Sequence, residues 1–257
     1  TSGNTGIGLA MVCAVKGYRL KLLMPASASQ ERKRIMRAYG AEIVLTPGNL
    51  GTDGAIEEAY RLAREEPETY VLMDQFNNPA SIDAHYAGTA EEIYAGTDGA
   101  VTHVVVALGT SGTAMGLVKK LKELNAAVKV VAVEPHPGHK IQGLKNMQES
   151  YPPGIFDKKA LDAIVSVEDE DAFAMARRLA REEGLFVGMS GGAAMAAAAE
   201  LAASLERGTV VAILPDGGER YLSTSLFAVP EKKGVALQSV GGRSEERRVG
   251  KECRSRW

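Results

Sequence analysis

With 257 residues, 45% of them hydrophobic and 24% charged, the chain has the make-up of a globular protein of one or two domains, and not of a disordered, collagenous or disulfide-stapled one. Thirty basic residues against 32 acidic give a formal charge of −2, which offers nucleic acid and anionic membranes no electrostatic reason to bind, so a small-molecule partner is expected. No apolar run approaches the ~18 to 20 residues of a membrane helix, the opening TSGNTGIGLA has no signal-peptide pattern, and Cys13 and Cys253 are too few for a disulfide framework or a thiolate metal site, so a cytoplasmic protein without bound metal is expected.

In chain order, RLKLLM (residues 19–24) reads as a strand ended by Pro25, and SQERKRIMRAYG (29–40) as a helix with Ser29 as N-cap and Gly40 as stop. A second strand, AEIVLT (41–46), is followed by a helix over 54–66 whose Ile56, Ala59, Tyr60 and Ala63 share one apolar face. HVVVAL (103–108), VKVVAVE (128–134) and TVVAIL (209–214) are short, Val-rich and almost continuously apolar, as central parallel strands covered on both faces require. Helices starting near Thr113, Asp171 and Gly191 lie between them. This alternation predicts an α/β fold with right-handed crossovers. Cys13 reads as packing, Lys16, Lys21 and Lys33 as solvated surface charges, and Glu182 and Glu183 beside Arg177, Arg178 and Arg181 as a solvated helix face. His85, His103, His136 and His139 have no metal-ligand spacing.

Three turns place Gly, Ser and Thr where a helix starts: TSGNTG (1–6), GTSGTAMG (109–116) and GMSGGA (188–193). Free N–H groups and short hydroxyls at such a point bind a phosphate or carboxylate, and they equally make an ordinary N-cap. The second turn follows a strand, the geometry of a phosphate cup, but it is neither a P-loop nor a dinucleotide fingerprint. Singly, each turn leaves both readings open.

Their order is more specific. TSGNTG, GTSGT, GMSGGA and PDGGERYLST (215–224), with DQFNNPAS (74–81), HYAGTAEEI (85–93) and HKIQGL (139–144) between them, resemble the cysteine synthase family of pyridoxal-phosphate enzymes over residues 1 to about 227. The resemblance implies a fold of type II, like that of tryptophan synthase β, with two open twisted α/β domains and pyridoxal 5'-phosphate in the cleft between them. The expected division is a smaller carboxylate-binding domain over 1–78, a larger phosphate-binding domain over 79–229, and a tail over 230–257. The last 15 residues of that tail, six basic and three acidic, read as non-native or disordered. By the resemblance Asn4 contacts the cofactor's phenolic oxygen, Gly109, Thr110, Ser111, Gly112 and Thr113 form the phosphate cup, and Ser190 faces the pyridine nitrogen. Thr1, Ser2, Gly3, Thr5 and Gln75 hold the substrate's α-carboxylate. Ser111 departs from the commoner GTGGT, a change that ordinary backbone angles would accommodate. A neutral hydroxyl at Ser190 leaves the pyridine nitrogen largely unprotonated and the ring a weaker electron sink, which favours elimination.

The implied reaction is β-replacement in two half-reactions, converting O-acetylserine or O-phosphoserine and a sulfur donor into cysteine. In the family the lysine that carries the cofactor lies upstream of TSGNTG, so the chain is expected to be N-terminally truncated and inactive by itself. KNMQESYPPGIFD (145–157) resembles the B-type branch, and Lys145 is either a contact for a phosphorylated leaving group or a surface lysine. The resemblance further implies a homodimer, with serine acetyltransferase or a sulfur-carrier protein as partner. Cystathionine β-synthase, using serine and homocysteine, and a non-catalytic α/β binding protein are the competing readings.

Overall fold

The computed structural model describes Thr1, residues 3–148 and residues 151–228. Ser2, and the expected tail over 230–257 with Cys253 and Trp257, lie outside the described residues.

The first part of the chain folds as α1 (Asn4–Lys16), β1 (Lys21–Pro25), α2 (Gln30–Ala38), β2 (Glu42–Thr46) and α3 (Gly51–Glu65). β1 and β2 pair in parallel, from Lys21 opposite Glu42 to Pro25 opposite Thr46, with α2 as the crossover. Ser29 caps α2 as expected, its Oγ accepting from Arg32 N at 3.5 Å, and Gly40 (φ 86°) supplies the left-handed residue that ends it. Ile7 and Ala10 of α1, Met36 of α2 and Leu22 and Met24 of β1 make the core of this part.

The rest contains α4 (Ala80–Ala84), α5 (Ala90–Gly96), β3 (Val101–Ala107), α6 (Gly112–Leu124), β4 (Lys129–Pro135), β5 (Ala163–Val167), α7 (Asp169–Arg178), α8 (Met189–Ser204) and β6 (Thr209–Ala212). The four strands form one parallel sheet in the order β5-β4-β3-β6. Alternate residues of its two central strands feed two cores. Val105, Val131 and Val133 pack with α7 and α8, while Val104, Val106, Val130 and Ala132 pack with α6 and the region of α5. That double coverage explains the unbroken Val runs, since each fully buried Val contributes about 1.5 to 3 kcal/mol on either face. The Ala-rich α8 lies close against α7: a Cβ on Gly192 would come within 2.1 Å of the Ala172 carbonyl oxygen.

Four expectations need correction. The run 209–214 forms an edge strand of the described sheet, not a central one, and is only half-buried. β5 was not expected; its AIVSV is short, half-exposed and at the opposite edge, so it carries little of the apolar signal of the central strands. α3 starts a turn earlier than the apolar face indicated, at Gly51. Lys33 is buried, with Nζ donating to the Ala26 carbonyl at 2.6 Å, and is not a solvated charge.

The two parts of the chain are joined through a charged contact. Arg32 of α2 is fully buried, and its Nη2 lies 3.1 Å from Asp216 Oδ2, both side chains having no exposure. Arg32 also donates to the Tyr221 hydroxyl and, at 3.2 Å, to Gln142 Oε1. Tyr221 in turn donates to Asp216 at 2.7 Å, and burial drives its phenol far above its ordinary pKa. Each of the three side chains meets a polar partner, as a buried ion pair requires, while Asp216 Oδ1 has no hydrogen-bond partner among the described residues.

Candidate active site

A cleft of about 880 Å³ runs between the two parts of the chain. It is lined by Thr1, Gly3, Asn4, Thr5, Gln75, Gly109, Thr110, Ser111, Gly112, Thr113, Lys145 and Ser190, so every predicted site residue that the structure describes faces the same space. The N-termini of α1, α6 and α8 all open on it, which gives the cleft three sets of unpaired backbone N–H groups and three positive dipole ends.

The α6 terminus is the most developed of the three. β3 ends at Ala107, and the turn Gly109 to Gly112 leads the chain into α6. A Cβ on Gly109 would stand 2.6 Å from the Gly143 carbonyl oxygen, and one on Gly112 would stand 2.5 Å from Ser81 Oγ. Only glycine permits this close approach. Ser111, the N-cap, has φ 67° and ψ −8°, a left-handed conformation that costs a non-glycine residue about 1 to 2 kcal/mol. The condition under which Ser111 would be accommodated without cost, ordinary backbone angles, is therefore not met, and the commoner Gly at this place has a direct steric reason. Ser111 Oγ is buried and has no hydrogen-bond partner among the described residues. A buried, unsatisfied hydroxyl beside free helix N–H groups is costly unless an anion occupies the turn. Thus the residues present fit a phosphate group.

His85, which also lines the cleft, supports the same turn. It stands at the start of a wide helical turn, His85–Thr89, between α4 and α5. Its Nε2 lies 3.0 Å from Thr113 Oγ1 and its Nδ1 lies 2.8 Å from Thr89 Oγ1. Burial holds the imidazole pKa below the ordinary histidine value, so the ring is neutral and sets the rotor of the Thr113 hydroxyl.

At the α8 terminus Ser190 is buried and reaches the cleft, but the glycines around it have another use. Gly188 leaves room for Asp216 Oδ1, 2.1 Å from where a Cβ would be, and Gly192 leaves room for α7. At the α1 terminus Asn4 is the first helical residue, and its Oδ1 accepts from Arg220 Nη1 at 2.7 Å. Gly3 lies against the Arg32 guanidinium, whose Cζ would be 2.8 Å from a Cβ.

Lys145 is buried and not a surface lysine; its Nζ pairs with Asp53 Oδ1 of α3 at 2.8 Å across the cleft. Gln75 lines both the cleft and a smaller, largely apolar cavity of about 160 Å³ beneath α3. Near it Tyr60 donates to Asp74 Oδ1 at 2.7 Å, and burial with that carboxylate pushes its phenol up to about 12. Sequence reading missed His85 as part of the site, and Arg32, Asp216 and Tyr221 as the buried contact that joins the two parts of the chain. The available signal for Arg32 was its place one helical turn from Met36, on the apolar side of α2.

The family model for pyridoxal-phosphate dependent enzymes matches residues 1–216. Cysteine synthase from Aquifex aeolicus is 48% identical over 233 residues, which covers 89% of this chain and 71% of that protein. Cysteine synthase B from Salmonella typhimurium is 45% identical over 227 residues, 88% of this chain and 74% of the relative. Among solved structures, the cysteine synthase of Entamoeba histolytica superimposes with a TM-score of 0.82 at 42% identity, covering 91% of this chain and 72% of that one.

Proposed function

Since the chain belongs to the pyridoxal-phosphate-dependent enzymes and stands among their cysteine synthases, we propose that its cleft holds pyridoxal 5'-phosphate and makes cysteine from an activated serine by β-replacement. The observation that carries this reading is the convergence of three glycine-rich turns, far apart in the chain, on one cleft. When bound, the cofactor supplies an electron sink for a substrate's α-carbon.

The chain's own residues divide the remaining work. Gly109 to Thr113 take the phosphate, with the α6 N–H groups and the Ser111, Thr110 and Thr113 hydroxyls as donors. Ser190 presents a neutral hydroxyl to the pyridine nitrogen and so leaves it largely unprotonated. Asn4 donates to the phenolic oxygen. Thr1, Gly3, Thr5 and Gln75, with Ser2, take the substrate's α-carboxylate at the positive end of α1. Residues 1–78 form the unit that bears on the substrate and 79–229 the unit that holds the phosphate; the separate cores of the two parts support that division.

Lys145 meets the phosphorylated leaving group of O-phosphoserine. Its burial in the cleft wall supports this over a surface role, and its pairing with Asp53 means that a phosphate must compete with that carboxylate. Lys145→Ala should therefore weaken competition by O-phosphoserine for the site more than competition by O-acetylserine, and equal effects would refute the assignment. We further take the protein to act as a cytoplasmic homodimer, with serine acetyltransferase or a sulfur-carrier protein as partner, on the family resemblance. Among the described residues no helix is long and apolar enough to cross a membrane.

Titration of the chain with pyridoxal phosphate, followed by the cofactor's absorption band, tests the cleft assignment. Saturable binding that is lost with Thr110→Ala/Thr113→Ala supports it, and binding untouched by that pair refutes it. Product analysis with sulfide against homocysteine then separates cysteine formation from cystathionine formation.

A further inference from the structure

Arg220 lies outside the residues that line the cleft, yet it controls one that does. The amide of Asn4 has one accepting end and one donating end, and rotation by half a turn exchanges them. Arg220 Nη1 stands 2.7 Å from Oδ1. A guanidinium carries donors only, so the turned amide would set N–H against N–H, and a single orientation is held. Asn4 makes no other side-chain hydrogen bond among the described residues, which leaves Nδ2 to donate into the cleft.

The guanidinium is itself well fixed. Its residue belongs to the short helical turn Gly218–Tyr221, anchored by the fully buried Tyr221 and by Gly218 N donating to the Phe186 carbonyl at 3.0 Å. The Arg220 carbonyl accepts from Ser29 Oγ, the cap of α2, at 2.7 Å. Glu219 Oε1, 3.7 Å from Nε on a side chain more than half exposed, is too distant and too solvated to draw the guanidinium away. One residue thus grips the first turns of α1 and α2 from the far part of the chain.

We infer that Arg220 is a positioning residue for the cofactor: it holds the Asn4 amide with its donor toward the ring oxygen, which favours the deprotonated, accepting form of that oxygen. The inference rests on the reading of Asn4 as the contact to that oxygen. A freely rotating amide would present its carbonyl part of the time, and a carbonyl facing an anionic oxygen repels it.

A double-mutant cycle on pyridoxal phosphate binding tests this. Asn4→Ala and Arg220→Met should each weaken binding by about tenfold, the scale of one hydrogen bond to a charged group. The double variant should be no weaker than Asn4→Ala alone, because Arg220 acts only through the amide. Arg220→Lys, which keeps a donor and the charge, should recover most of the affinity. The ring hydroxyl of bound cofactor, titrated through its absorption band, should deprotonate at higher pH in Asn4→Ala and Arg220→Met. Melting curves of Arg220→Met read any purely structural share. An Arg220→Met loss that persists in full in the Asn4→Ala background, or unchanged binding by Arg220→Met, overturns the inference. Unchanged binding by Asn4→Ala overturns instead the reading on which it rests, as does an unaltered chain that binds no cofactor.

Discussion

The turns that open α6 and α8 look alike in sequence, GTSGT and GMSGG, and the fold uses their glycines for opposite ends. Before α6 Gly109 and Gly112 let the cleft-lining Gly143 and Ser81 approach the turn, and an orphaned Ser111 hydroxyl lies between them in sequence. Around the start of α8 Gly188 and Gly192 make room for Asp216 and α7, and only Ser190 looks into the cleft. A glycine-rich helix start is therefore not one device. At α6 the missing side chains let two other segments of the cleft wall close in; at α8 they serve packing away from the cleft, and the site receives a single hydroxyl.

Substitution should separate the two turns cleanly. The largest effect is expected at Gly192→Ala, where the new methyl meets a helix backbone carbonyl that cannot move without shifting α7. Unfolding in urea should show a loss of about 3 kcal/mol, typical of overpacking against a rigid neighbour, with no separate change in cofactor affinity for the protein that remains folded. Gly112→Ala should cost less stability and add a loss of cofactor binding. Its added methyl would stand 2.7 Å from Ser81 Cβ, which can yield only if α4 shifts, so stability should fall by about 1 to 2 kcal/mol, less than at Gly192 where the obstacle is a helix carbonyl. Pyridoxal phosphate should bind about tenfold more weakly as the cup distorts. Equal stability losses in the two variants would erase the contrast.

Ser111 carries both costs of its turn at once, and its replacement should split them. Ser111→Gly removes a left-handed strain of about 1 to 2 kcal/mol and returns about 0.5 to 1 kcal/mol through the greater freedom of glycine in the unfolded chain. A net gain near 0.5 to 1 kcal/mol in urea unfolding should accompany weaker cofactor binding, because one donor is lost. A parallel fall of stability and binding would mean that the hydroxyl supports the turn itself.

Much of this contrast was legible before the fold was known, and the limits have physical causes. The three turns, the Val-rich central strands and the cap at Ser29 are local signals, written in consecutive residues, and each was found in place. What was missed depends on neighbours distant in the chain. Arg32 carried only the weak signal of its place near Met36, and Lys145 stayed open between a cleft contact and a surface lysine, since burial of a charge is decided by the partner that meets it: Asp216 in one case and Asp53 in the other. The backbone angle of Ser111 follows from the close approach of Gly143 and Ser81 to its flanking glycines, contacts that no local pattern encodes. β5 lay below notice because an edge strand needs little apolar surface.

The smallest expected effect again falls on the α6 side alone. His85 touches Thr113 and Thr89 hydroxyls and is held below its ordinary pKa by burial, so the folded state binds a proton on this ring less readily than the unfolded chain. Its contribution to stability is therefore complete above the ordinary histidine pKa of about 6.5 and declines as pH falls through and below that value. His85→Gln keeps a side chain able to meet the Thr113 hydroxyl but cannot titrate. Between pH 7.5 and 5.5, values on either side of about 6.5, the unaltered chain should lose more urea stability than His85→Gln. The subtraction matters because carboxylates elsewhere titrate over the lower part of the same range. Identical slopes for the two proteins would show that the imidazole does not sense the cup, and the support of Thr113 would then have to come from α6 itself.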